Sequence, residues 1–158
     1  MPPVTPGKEW EHIESVVDSG GAIPVLPPDA TGEHATQESP ASKRGVQYED
    51  ASGNWIPNLG EKFVPVVTSE GTVRGYHTQI ADVSKPLSSV RSMNKAHQTV
   101  VFDEDGSFIF NKVSGELNWL RDDGTNFLLD MWVMPKVEIE KQLNEGQSQS
   151  HFRRQQNP

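Results

Sequence analysis

In the stretch Val16-Val17-Asp18-Ser19-Gly20-Gly21 an apolar run ends abruptly in an acid, a hydroxyl and two glycines. A carboxylate at the end of a buried strand is costly unless it is paired or used. Adjacent glycines let the backbone turn tightly and approach a ligand closely. The chemistry open to such a group is general acid–base catalysis. Two carboxylates held close in a low-dielectric site cannot both ionise, so the pair keeps one proton. The charged member then takes a proton from water while the other donates to a carbonyl oxygen. This chain carries a single Asp-Ser-Gly triplet, so such a pair requires a second chain, and a two-fold dimer sets the same loop opposite itself. A triplet of this kind arises by chance in roughly one chain in fifteen of this length, so the surrounding elements must support it.

Residues 10–17 read as a strand that delivers Asp18 to a loop, with Trp10, Ile13, Val16 and Val17 as its apolar content. A second apolar run, 22–26, stops at Pro27-Pro28, and 29–44 is polar and reads as a surface loop. Ala51-Ser52-Gly53-Asn54 is a turn between two candidate strands, Val46 to Glu49 and Trp55 to Pro57, giving a β-hairpin. Residues 63–67 continue its second arm, and 73–83 alternate as a half-buried strand should. Ser84-Lys85-Pro86 resembles a helix start, with Leu87, Val90, Met93 and Ala96 on one face, which predicts one short core helix. Turns at 103–106, 114–115 and 122–124 separate four further apolar runs, a β-meander over 99–133. The stretch 137–143 has the makings of a brief helix, and 146–158 is Gln, Ser, Asn and Arg with one Phe, a composition expected of a disordered tail.

Composition restricts the function classes. The 158 residues fit one domain, and 34% hydrophobic content with 12 prolines and 13 glycines points to a turn-rich, mainly β protein. A net charge of −8 leaves no basic stripe for a phosphate backbone, so nucleic acid is not an expected partner. The absence of cysteine excludes disulfides and thiolate metal sites and fits a reducing compartment. No run approaches the roughly 18 apolar residues of a membrane span, so a soluble, intracellular and cytoplasmic protein is expected. The histidines (His12, His34, His77, His97, His151) include no i, i+4 pair, and no metal site is expected. Asp103-Glu104-Asp105-Gly106 begins like a calcium loop, but its twelfth position is Ser114 instead of Glu. Ser19 has no Gly-x-Ser-x-Gly elbow around it and reads as a loop-bracing hydroxyl, not a nucleophile. Trp55 is a candidate pocket wall or cross-strand aromatic, and Trp119 and Trp132 are expected in the core or an interface.

The order of these features (an apolar strand ending in Asp-Ser-Gly, a Gly-tipped hairpin some thirty residues on, then Lys85-Pro86-Leu87-Ser88-Ser89-Val90-Arg91-Ser92-Met93 ahead of an apolar strand at 99–102) resembles the protease segment of copia-type retrotransposon polyproteins, in the retropepsin-like clan. The resemblance spans about 13–133. It implies a retropepsin-like closed β-barrel with one catalytic aspartate per chain, working as a homodimer on a peptide or polyprotein substrate without a cofactor. By position, Asp18 matches the catalytic residue, Ser19 the bracing hydroxyl and Gly20 the turn residue. Ala51, Ser52, Gly53, Asn54 and Trp55 match the substrate-binding flap, and Leu87, Ser88 and Ser89 fall where the family places an apolar-apolar-small element under the active-site loop. Two positions depart from the pattern. Gly21 stands where a small alanine is usual, and Ser88 where a second apolar residue is usual. The expected organisation is a flexible lead-in (1–9), a protease domain (10–133, with 99–133 as a possible C-terminal β extension) and a polar tail (134–158). The alternative reading is a catalytically inactive relative serving as a dimerisation or peptide-binding module.

Overall fold

The computed structural model describes residues 3–145. Strand β1 (His12–Asp18) forms because its core-facing positions recur every second residue: Ile13, Ser15 and Val17 are buried while His12 and Glu14 face out. It is followed by β2 (Val25–Leu26), helix α1 (Pro40–Lys43), the two-stranded hairpin β3 (Gln47–Glu49) and β4 (Trp55–Pro57), and the long pair β5 (Gly60–Thr68) and β6 (Val73–Ile80). Strand β7 (Leu87–Ser89) runs directly into helix α2 (Val90–Lys95), and four strands complete the fold: β8 (Gln98–Val101), β9 (Ser107–Asn111), β10 (Leu117–Asp122) and β11 (Phe127–Val133). The protein is mainly β.

The strands outside the hairpin form one sheet, ordered β1-β7-β2-β6-β5-β11-β10-β9-β8, in which β1 also pairs with β11. The path β1-β7-β2-β6-β5-β11 therefore returns to its first member. Its enclosed side chains, among them Val17, Leu26, Val64, Val66, Ile80 and Met131, make the hydrophobic core. Two insertions organise this ring. Strand β7 lies between β1 and β2, the two strands that the Asp18 loop connects, parallel to the first and antiparallel to the second. Strand β11 lies between β1 and β5, antiparallel to both.

The hairpin flanking 51–54 and the four-strand meander form where the turn residues indicate. Other expectations are corrected. Leu87–Ser89 are strand, and the helix starts only at Val90, because the ladder bonds offered by β1 and β2 outweigh the helical spacing of Leu87 and Val90. That helix is not the only one. Ser39 caps α1 inside the polar stretch read as a loop, while the brief helix expected over 137–143 is present and spans 136–145. The meander is not a mere C-terminal extension, since its last strand β11 occupies the place between β1 and β5. The polar-tail boundary at 134 also shifts: Met134 is 3% exposed, its amide donating to the Pro65 carbonyl at 2.9 Å, and Lys136 N–H donates to Glu33 at 2.8 Å. Residues 146–158 lie outside the described residues. In the lead-in, the Val4 amide donates to the Gly71 carbonyl at 2.9 Å.

Candidate functional site

Strand β1 carries Asp18 at its last position, in register with Ser89 of β7. Past Asp18 the chain leaves the ladder. The Gly20 amide donates to Asp18 Oδ1 at 2.8 Å, closing a small turn over the carboxylate, while Asp18 Oδ2 has no hydrogen-bond partner among the described residues. Neither Gly20 nor Gly21 has a positive φ, so turn conformation does not demand these glycines. A Cβ built on Gly21 would lie 3.3 Å from Asp18 Oδ2, so the bare Gly21 leaves room around the free oxygen. Ser19 and Gly20 are exposed and Asp18 is half-buried. Asp18 belongs to no ion pair among the described residues.

The loop is held from beneath. Ser89 Oγ donates to the Gly21 carbonyl at 2.7 Å and accepts the Ser92 amide of α2 at 3.1 Å, and Ser92 Oγ lies 3.4 Å from the Ala22 carbonyl. Ser88 is 1% exposed; its Oγ sits 2.6 Å from Ser15 Oγ of β1. The Tyr76 hydroxyl joins this buried cluster and donates to the Leu87 carbonyl at 3.2 Å. Burial pushes the Tyr76 pKa up, against hydrogen bonds to Ser88 and Ser15 that pull it down. A cavity of about 710 Å³ opens on the same wall, lined by Tyr76, Ser88, Ser89, Ser92, Met93 and Ile109 among others. Asp18 is not among its lining residues.

The hairpin is a separate two-stranded ribbon. Asp50 Oδ1 accepts the Ser52 and Asn54 amides at 2.9 and 2.8 Å, and Gly53 takes a φ of 83°, which fixes the tip around Ala51. Trp55 stands 64% exposed on its second strand. At the base, buried Asn58 donates to Tyr48 Oη at 2.7 Å and Gln79 Oε1 at 2.9 Å, while its Oδ1 accepts from the Gly60 amide at 2.8 Å and Ser39 Oγ at 3.2 Å. Thus the tip is free and the root is pinned. The structure brings Asp18, Ser19, Gly20 and Gly21 together with Leu87, Ser88 and Ser89, whereas the hairpin tip shares no hydrogen bond with the Asp18 loop among the described residues.

Sequence reasoning missed Asn58, Ser15 and Lys62. Lys62 occupies an inward position of β5, its ammonium donating to Ala30 O at 2.9 Å and to Thr31 O and Oγ1 at 3.1 Å; burial lowers its pKa, opposed by Glu11. The only signal available was a polar residue at an inward position of an alternating strand. Trp119, expected in the core or an interface, is 55% exposed in the single chain and meets Phe108 edge-on, and Trp132 stacks on His12. His77 bonds Glu61, holding that carboxyl below its usual range, and His12 bonds Asp130. No cluster of three or more His, Asp or Glu side chains suited to a metal occurs among the described residues, and none of their helices is long and apolar enough to cross a membrane.

Comparison with protein-family models, curated proteins and solved structures found no match to this chain.

Proposed function

We propose that the chain is an aspartic endopeptidase of retropepsin type, acting as a homodimer with one Asp18 from each chain. The supporting observation is the suspension of the Asp18 loop: it joins β1 to β2, β7 is inserted between those strands, and Ser89 ties the loop to α2. One carboxylate oxygen is held by the Gly20 amide and the other is free, as half of a proton-sharing pair requires. The returning ladder from β1 to β11 is read as the closed barrel of that clan, and the pinned-root, free-tip hairpin as its flap.

In the dimer the paired carboxylates share one proton, the ionised one activates water, and the protonated one donates to the scissile carbonyl. The substrate lies extended, its backbone pairing with the hairpin and site strands. A polyprotein is the natural substrate class for an enzyme of this type, and the reaction needs no cofactor. The test is cleavage of an extended-peptide library from about pH 3 to 8, with wild type beside Asp18→Asn and sedimentation of both. The expected result is a dimer whose activity falls about a thousandfold in the variant. A chain that stays monomeric, or cleavage indifferent to the substitution, overturns the reading. A dimer that binds peptides without cutting them points to the inactive-module alternative.

A further inference from the structure

We infer that Ser89 is a positioning residue for Asp18, acting through the Gly21 carbonyl, and that it replaces the rigidity given up by glycine at position 21; this rests on the reading of Asp18 as catalytic.

A serine hydroxyl has one proton and two lone pairs. In Ser89 the proton goes to the Gly21 carbonyl at 2.7 Å, and a lone pair accepts the Ser92 amide at 3.1 Å. Both uses are met at once, so the first turn of α2 and the Asp18 loop hang on one oxygen. Ser89 is also 2% exposed and lies in register with Asp18 across the β1–β7 ladder, so its place is fixed by backbone pairing as well as by its side chain.

The need for such a tether follows from the loop's composition. Gly20 and Gly21 are consecutive residues without side chains, and glycine loses the most conformational freedom when ordered. No side chain of theirs can pack to hold the loop. With the Gly21 carbonyl anchored, the span free to move after Asp18 shrinks to Ser19 and Gly20, and the Gly20 amide is kept where it donates to Asp18 Oδ1. The chain of contacts runs from the α2 cap to the Gly21 carbonyl, to the Gly20 amide, to the carboxylate. Alanine at 21 stiffens the backbone but presses its methyl to 3.3 Å from Asp18 Oδ2. The Gly21–Ser89 combination keeps that oxygen accessible and still orders the loop.

The experiment separates the tether from the helix cap. Glycine caps helices almost as well as serine but has no hydroxyl to donate, so Ser89→Gly removes the bond to Gly21 while leaving α2, and Ser89→Thr keeps the donor. Amide hydrogen exchange at Gly20 and Gly21, whose N–H groups both donate to Asp18, is read in all forms and does not depend on catalysis. In Ser89→Gly, exchange is expected to quicken about tenfold, with exchange in β5 and β6 unchanged; Ser89→Thr restores the protection. Adding Gly21→Ala to Ser89→Gly recovers part of the lost protection. Peptide cleavage, measured alongside, is expected to lose about tenfold in kcat with KM within about twofold. Wild-type exchange in a folded Ser89→Gly chain overturns the inference. Failure of the wild type to cut any peptide instead overturns the protease reading and leaves the loop measurements standing. If Ser89→Gly does not fold, Ser89→Ala, which keeps a β-carbon but has no hydroxyl to donate, serves: wild-type exchange at Gly20 there counts against the tether.

Discussion

Ser88 shows how one residue can break a pattern and keep a structure. An apolar side chain at that position would leave Ser15 Oγ without the partner now 2.6 Å away. Ser88→Leu is therefore expected to destabilise the fold by about 2 kcal/mol, read as a lower urea midpoint with unchanged slope; a stabilised variant would refute the hydroxyl cluster. A second residue-scale prediction concerns acid. Arg121 holds the Asp130 carboxyl below its usual range through bonds of 2.9 and 3.1 Å, with His12 adding to the effect. A depressed carboxyl contributes stability that is complete above its unfolded value near 4 and is lost as pH falls through the lower folded value. Arg121→Gln should thus flatten the acid limb of the stability curve while leaving its shape above neutrality intact, as urea unfolding at a series of pH values would show. The strand end at Asp18 and the turn at 51–54 were legible because their signals are local. Ser15, Lys62 and Asn58 were not, because the partners that make them buried and satisfied lie 73, 31 and 21 residues away.

Among the elements, the start of β5 is the most constrained. Gly60 has a φ of 134°, and a Cβ there would overlap the Gln37 carbonyl, whose residue bridges to Glu61. Gly60→Ala is expected to cost about 2 kcal/mol or more, measured by thermal or urea unfolding. The hairpin offers the opposite case. Trp55 is largely exposed on a ribbon whose tip is free, so Trp55→Ala should change stability by no more than about 0.5 kcal/mol while raising the KM for peptides if the ribbon is a flap. An unchanged KM would remove Trp55 from the substrate site. The spacing of Leu87, Val90 and Met93 pointed to a helix that begins three residues too early, because a short segment cannot reveal that two distant strands are waiting to pair with it.

For the molecule as a whole, nothing in the amino-acid pattern makes 99–133 essential, since its hairpins are locally complete. The pairing shows otherwise: β11 supplies the shared neighbour of β1 and β5, and Asn118 of β10 ties the β5–β6 turn through Thr68, Thr72 and Glu70. A chain ending at residue 97 is expected to lack a cooperative unfolding transition, which circular dichroism in urea would test. The same pairing fixes an order of events. His12 meets Asp130, 118 residues onward, so the strand that carries Asp18 has one edge open until nearly the whole domain has left the ribosome. Non-local pairing of this kind folds slowly, and one edge of β1 stays unpaired until β11 arrives. The nascent chain thus carries its carboxylate on a strand with one open edge, and the arrival of β11 is what closes it.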